Sequence, residues 1–482
     1  MAITFAGVKR YVTYKLILQK DKYIHPRPLP AKRSEGEIRQ SIATCIALWL
    51  LLFALSLNAQ HIKKPKLLAG PVIGTVTKNS AKIWIAYHSE GHNVLILGDT
   101  AEKKVYYPTS YSYINDKRGN VALTMNFTGL KPGHRYNILI SIGQWGTNAR
   151  YSFKTPVDSA VKDFNFLTGS CALMNTDITR GIFPGIANWI FYRMRKKKSD
   201  FMVWLGNSTY YFYPKQYRSY EDMFKRELKI RRYYYKIYKD FLANQPNYTI
   251  WDEHDYGGGG ADKDFALKDS SLKIFKGFWP NTYPDGPKFN GNYFSFREYD
   301  AEFFMLDDRY FREHPGDSAA MLGETQLIWL KHKLLSSDAT FKFICIGSAV
   351  LNDNNVGESY AQYPKERNAL FDFIAANNIK GVIFLSGAKH YSEVSKRVWN
   401  GYPIYDFTCS SLTALPHPLP LKLLGFYHNR WRVRGTEFPF RNFGRVSVTG
   451  ASGNRSLKVE VFGRAGHVQR SLVIDQKELQ KN

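Results

Sequence analysis

The stretch WDEHDYGGGG, residues 251–260, crowds three carboxylates and a histidine (Asp252, Glu253, His254 and Asp255) into four consecutive positions. Such groups repel one another unless a cation or a basic side chain compensates them. Similar endings recur along the chain, each after an apolar run. FNFLTGSC (164–171) ends in Cys171, and FMVWLGNS (201–208) ends with Asn207, with Tyr210 just beyond. AEFFMLDDR (301–309) ends in Asp307, Asp308 and Arg309. FKFICIGS (341–348) leads to Asn352 and Asp353, and KGVIFLSGAKH (380–390) ends in His390. One polar residue after a strand is ordinarily a turn. Thiol, phenol, imidazole and carboxyl groups delivered by several strands in series point instead to a metal-dependent hydrolytic site. Plainer roles stand beside this one. Cys171 suits a small buried apolar position, Tyr210 suits packing beside Tyr211 and Tyr213, and His390 suits a buried histidine with its hydrogen bonds met.

The elements that carry these groups form two regions. From Leu67 to Thr155 short alternating or apolar segments, at 81–88, 93–98, 121–127, 136–143 and 149–155, are separated by Gly, Asn and Lys turns. GLKPGHRY (129–136) reads as a corner opening into a strand at Tyr136. This predicts a small all-β, fibronectin-III-like sandwich over residues 60–156. PVDSAVKD (156–163) reads as a linker. Beyond it, apolar runs alternate with helical stretches at 184–198, 325–337 and 365–378, which predicts an α/β domain over 157–482. The basic run RMRKKK (193–198) falls at the end of a predicted helix, where cations favourably face the dipole.

The chain has 482 residues and a formal charge of +26. That charge favours acidic partners such as phosphate esters, anionic lipid, nucleic acid or acidic polysaccharide. No recognition-helix, RNA-binding or zinc-finger pattern is present, so no specific nucleic-acid recognition is expected. IATCIALWLLLFAL (42–55) is the one strongly apolar run, and at fourteen residues it is short for a membrane span. Arg39 precedes it and SLNAQ follows, so residues 1–59 read as a secretory signal region cut after Ala59, with a short N-terminal anchor as the alternative. The expected location is the periplasm, the outer cell envelope or the medium. Three cysteines, Cys171, Cys345 and Cys409, would then remain, an odd count that leaves at least one thiol free.

The order and spacing of several motifs resemble those of the alkaline phosphatase D, or PhoD-like, family of metallophosphoesterases. The resemblance runs from Leu67 to about Ile474. It rests on TGSC (168–171), WDEHDYG (251–257), FFMLDDRYFR (303–312), YPKERNALFDFI (363–374), KGVIFLSGAKHYSE (380–393) and GNRSLKVEVF (453–462). It implies a pair of sheets flanked by helices after a β-sandwich, iron and calcium at the strand ends, and hydrolysis of phosphate esters. It also implies metal-ligand positions at Cys171, Tyr210, Asp252, Glu253 and His390, and a catalytic position at His254.

Departures from the family pattern fall on the polar positions. Asn207 stands where the family's Gly-Asp-x-x-Tyr motif has its bridging Asp. Ala388 stands in GAKH where the family has Gly-Asp-Arg-His, Gly259 and Gly260 replace an Asn-Asp pair, and Glu253 replaces an Asp. Lys389, beside Ala388, could place an ammonium where a cation would otherwise sit. A carboxylate touching a cation is worth about 4 kcal/mol per unit-charge interaction at an effective dielectric near 20, and Asn offers only a dipole. The expectation is a degenerate site that binds iron and calcium weakly or not at all, in effect a pseudoenzyme. Two other readings stay open: a working phosphoesterase with a rewired metal set, and an envelope interaction or anion-binding module.

Overall fold

The computed structural model describes residues 67–481 apart from 89–92, 143–144, 147–150, 175–188, 212–216, 234–235, 285–289, 355–356 and 417–427. The expected signal region lies outside the described residues. Among these, no helix is long and apolar enough to cross a membrane.

The N-terminal region is all-β. One sheet runs in the order Leu67–Val76, Ser80–His88, Asn120–Thr128, Ser110–Asn115. The other runs Val105–Tyr106, Asn93–Asp99, Arg135–Ile142, Trp145–Gly146, with Tyr151–Lys154 also paired to Arg135–Ile142. Inward residues of both, among them Ile83, Ile85, Leu95, Leu97, Tyr136 and Phe153, form one core. The Tyr136 hydroxyl accepts a hydrogen bond from the Lys131 backbone N–H at 2.7 Å, which pins the corner that the sequence marks.

This region is docked rather than tethered. Trp84 is fully buried, and its Nε1 donates to the Gly277 carbonyl at 2.8 Å. The Arg231 guanidinium lies over the rings of Trp84, Phe278 and Trp279 at 5.1, 5.5 and 4.3 Å. Asn247 Nδ2 donates to Ile73 O at 2.9 Å and the Tyr248 hydroxyl donates to Val76 O at 3.0 Å. The close approach requires Gly74, where a Cβ would lie 2.0 Å from Pro280 O.

The second region is built on two six-stranded sheets. The first has the order Asn247–Ile250, Phe201–Leu205, Phe164–Gly169, Asn442–Thr449, Ser456–Gly463, Val468–Asp475. The second runs Phe294–Glu298, Ala301–Met305, Phe341–Cys345, Val382–Ser386, Tyr402–Thr408, Glu393–Trp399. In the first sheet Asn247–Ile250, Phe201–Leu205 and Phe164–Gly169 pair in parallel and the other strands antiparallel, and in the second the parallel run is Ala301–Met305, Phe341–Cys345, Val382–Ser386 and Tyr402–Thr408. Phe201–Leu205, Phe341–Cys345 and Val382–Ser386 are buried throughout, as strands covered on both faces must be. Phe201, Val203 and Leu205 face the other sheet. There Phe166 stacks on Phe201 at 5.2 Å and meets Phe303 and Phe343 edge-on at 5.1 and 5.3 Å. Met202 and Trp204 face helical residues Phe191, Tyr238 and Phe241 instead. Helices Glu324–Ser336 and Pro364–Ala376 cover the second sheet through Leu330, Leu334, Leu370 and Phe371.

The predicted strands are present, and those of the second region have shorter C-terminal ends, because the polar residues counted into them form the turns beyond. Helices Tyr220–Tyr233, Lys236–Leu242 and Lys268–Phe278, and the antiparallel strands from Asn442 onward that complete the first sheet, were not predicted.

Candidate functional site

The turns that follow the parallel strands meet at one end of the sheets. Cys171 N donates to Gly206 O at 3.3 Å, Ala172 N to Asn207 O at 2.9 Å and Tyr211 N to His254 O at 2.9 Å. Ser170 Oγ donates to Cys409 O at 3.1 Å and accepts from Ala388 N at 3.2 Å. The packing is tight enough that a Cβ on Gly206 would fall 2.4 Å from Asp252 Cβ, and one on Gly347 2.8 Å from Asp252 Cγ. Cys171, Asn207, Ala388 and His390 all have left-handed backbone, with φ of 59°, 55°, 63° and 56°. Non-glycine residues in that region carry strain that concentrates at functional sites.

Asn207 is the hinge of the cluster. Its Nδ2 donates to Asp252 Oδ2 at 3.0 Å and approaches Cys171 Sγ at 3.8 Å, while its Oδ1 accepts from the His254 backbone N–H at 2.9 Å. An amide is the side chain that can bond a carboxylate with one end and an N–H with the other. The other Asp252 oxygen accepts from Arg309, with Nε at 2.9 Å and Nη2 in closer contact. Arg309 also pairs with Asp308 at 3.6 Å and with Glu358. Asp252, Asp308 and Arg309 have fully buried side chains. Arg312 reaches Glu358 at 3.5 Å. A guanidinium thus stands among Asp252, Asp308 and Glu358. Arg309 Nη1 and Arg312 Nη1 are buried and meet no acceptor among the described residues.

On the other side of Asn207, His390 bonds the Leu415 carbonyl through Nδ1 at 2.8 Å and interacts with the Cys171 thiol. Burial raises the Cys171 pKa, but the charge of His390 and its hydrogen bond outweigh this and hold the thiol below its ordinary range. Burial depresses His390, and Cys171 reverses that to a net upward shift. Burial, then Cys171, pushes the Tyr210 phenol well up. The Tyr210 ring stacks on His254 at 4.3 Å, and His254 Nε2 lies 3.3 Å from Glu253. Burial lowers the His254 pKa against the pull of Glu253 and Asp252. Burial, then Asp252, lifts Asp308 to about 7.

The expected residues Cys171, Asn207, Tyr210, Asp252, Glu253, His254, Ala388 and His390 therefore come together. Others do not. Gly259 and Gly260 lie on an exposed turn, where an added Cβ would meet nothing within 4 Å. Asp255 caps a turn, accepting from Ser208 N and Thr209 N at 2.9 and 2.6 Å. Asp307 likewise accepts four bonds, from Trp251 Nε1 and from the N–H groups of Asn292, Arg309 and Tyr310. Asn352 and Asp353 serve a separate network with Glu393 and Arg430. The idea that Lys389 fills the place of a cation is corrected. Its Nζ is directed to Asn354 Oδ1 at 3.5 Å, and burial, against the pull of Glu393 and Asp406, brings it down to about 8. The cation in the cluster is Arg309, whose signal in the sequence was the Arg that follows the acidic pair 307–308. Glu358, in a loop between elements, carried no signal.

Both oxygens of Asp252 are engaged by Asn207 and Arg309, and Glu253 is paired with His254. Among the described residues no group of three or more His, Cys, Asp and Glu side chains is arranged to hold a metal ion.

A model of the PhoD-like phosphatase family matches residues 181–417. Among solved structures, one of PhoD is similar at a TM-score of 0.65 and 19% identity, over 87% of this chain and 92% of that one. A purple acid phosphatase, PPD1 from yellow lupin (Lupinus luteus) seeds, is similar at a TM-score of 0.58 and 11% identity, over 85% of this chain and 74% of that one. At these identities the likeness is one of fold. No curated protein matches the chain.

Proposed function

From the PhoD-like phosphatase domain that this chain carries over residues 181–417, we propose an exported envelope protein in which hydrolysis of phosphate esters is lost or strongly reduced. A cleft for phosphate esters or other anions is retained. The observation that carries this reading is the Asn207–Asp252–Arg309 chain of bonds, which satisfies the central carboxylate with an amide and a guanidinium. In the family pattern that carboxylate serves iron or calcium. The Nη1 groups of Arg309 and Arg312, which meet no acceptor among the described residues, supply donors suited to an oxyanion. The β-sandwich is read as fibronectin-III-like, supported by the Tyr136 corner bond.

The test is metal content and phosphodiester hydrolysis of the purified protein, loaded in turn with ferric iron and calcium. The reading expects no stoichiometric tight iron and turnover barely above background. Tight iron with turnover in the ordinary enzymatic range, on the order of 1–10³ per second, overturns it. That result would favour a working phosphoesterase with a rewired metal set, a reading supported by the juxtaposition of Cys171, Tyr210, His254 and His390. Export is tested by intact mass of the protein taken from its native envelope. Cleavage after Ala59 is expected, and a full-length cytoplasmic chain rules it out.

A further inference from the structure

At the far end of the first sheet, where its strands begin, lies a cleft of about 860 Å³. Phe201 and Tyr248 line it, while Asn207 and Asp252 follow the opposite ends of the same strands. At about 3.3 Å per residue the two sites are roughly 13–20 Å apart. The sandwich contributes one wall through Tyr151–Lys154, so the cleft exists because the two regions are docked.

Its chemistry is mixed in a particular way. Six cations line it, Arg135, Lys154, Lys162, Arg195, Lys198 and Lys236, against the carboxyls of Asp200, Asp240 and Glu298. Asp240 engages Lys236 at 2.6 Å and Arg195 at 3.5 Å. Lys154, Lys162 and Lys198 form no ion pair within 4.0 Å among the described residues. The RMRKKK run is thus more than a solvated helix end, since Arg195 and Lys198 belong to this wall. The floor offers groups suited to hydroxyls. Gln245 is buried, with Oε1 accepting from Ser199 at 2.9 Å and Nε2 meeting no acceptor among the described residues. Glu298 is buried with no hydrogen bond to its carboxyl among the described residues, and burial, then Asp200, lifts it to about 8, so that it can donate at neutral pH. The ring of Tyr299, with Lys162 above it at 5.6 Å, also faces the cleft.

We propose that this cleft binds an acidic saccharide, with the anionic substituents held by Lys154, Lys162 and Lys198 and the sugar hydroxyls by Gln245, Ser199 and Glu298. The same cations would attract a nucleic acid, and binding of that class is the competing outcome of the test. The site is separate from the strand-end cluster and does not depend on whether that cluster is catalytic.

The probe is a fluorescein-labelled oligogalacturonate of about ten sugars, followed by fluorescence polarisation at low and physiological salt. The wild-type protein is expected to bind it. The triple variant Lys154→Glu, Lys162→Glu, Lys198→Glu should bind at least tenfold more weakly, about 1.4 kcal/mol. A control of equal charge, Lys117→Glu, Lys365→Glu, Lys380→Glu, should lose less than twofold. The milder Lys→Gln triple at 154, 162 and 198 decides the matter if the Glu triple does not fold, with a loss of threefold or more expected. Equal losses in cleft and control variants, no saccharide binding at low salt, or single-stranded DNA of the same charge binding as tightly as the saccharide would each overturn the proposal.

Discussion

Asn207→Asp is the sharpest test of how the strand-end cluster is balanced. In the present structure Asn207 Nδ2 lies 3.0 Å from Asp252 Oδ2. The substitution replaces that donor with a second carboxylate oxygen at the same distance, in a position that is almost fully buried. Two like charges there repel by roughly 5 kcal/mol at an effective dielectric near 20. The protein has a cheaper escape, which is to keep one of the two carboxyls protonated. Holding an ordinary Asp carboxyl neutral at pH 7 costs about 4 kcal/mol, from its reference pKa near 3.9 and about 1.4 kcal/mol per unit. Arg309 already serves Asp252, Asp308 and Glu358, so it offers the new charge little relief. The variant should therefore lose on the order of 2–4 kcal/mol in urea unfolding at pH 7 in the presence of EDTA. The sign of its pH dependence follows: a carboxyl whose folded-state pKa is raised costs nothing below its unfolded value, and stability falls as pH rises above about 4. The deficit should thus vanish near pH 4. Calcium or ferric iron should restore part of the stability of the variant and shift the wild type little. Wild-type stability for Asn207→Asp in EDTA at pH 7, or equal metal shifts for both proteins, would refute the claim that amide and guanidinium replace a cation here.

Gly74→Ala should cost roughly 1–3 kcal/mol by overpacking, because its Cβ would press on Pro280 at the seam with the sandwich, and denaturant unfolding reads the loss directly. Glu298, lifted from 4.5 to about 8, binds its proton more tightly when folded, so it draws down stability as pH rises through that window. Glu298→Gln should match wild type near pH 4 and exceed it on the order of 4 kcal/mol by pH 8, checked by unfolding at each pH. Cys171, Cys345 and Cys409 are free and buried, so a thiol reagent should label none of them in the native protein and all of them once urea unfolds it. Rapid native labelling of Cys171 would show that the cluster opens.

Much of the scaffold was legible because apolar runs such as FMVWL and VIFLS sit where a strand covered on both faces must be apolar throughout. The turns that follow each run expose the chemistry-bearing residues by type, so the sequence alone identified Cys171, Tyr210, Asp252, His254 and His390 as a set, and marked Asn207 and Ala388 as departures. It did not disclose helix Tyr220–Tyr233, whose buried face carries the Glu227–Arg231 ion pair and breaks the apolar period that would have marked it. Residue type and spacing did not separate Asp252 from Asp255 and Asp307, which sit in similar settings; the family resemblance alone singled out Asp252. Only the close approach of turns distant in sequence decides that Asp252 faces Asn207 and Arg309 while the other two cap backbone N–H groups. Arg309 and Lys389 pose the same problem for cations. Each follows a buried strand, and the packing of the second sheet directs Arg309 to Asp252 and Lys389 to Asn354. Residue type and local period are properties of a short stretch of chain and can be read from it. Which charge meets which is set by the register and stacking of two sheets whose strands lie up to about 300 residues apart, and that is fixed by the tertiary structure alone.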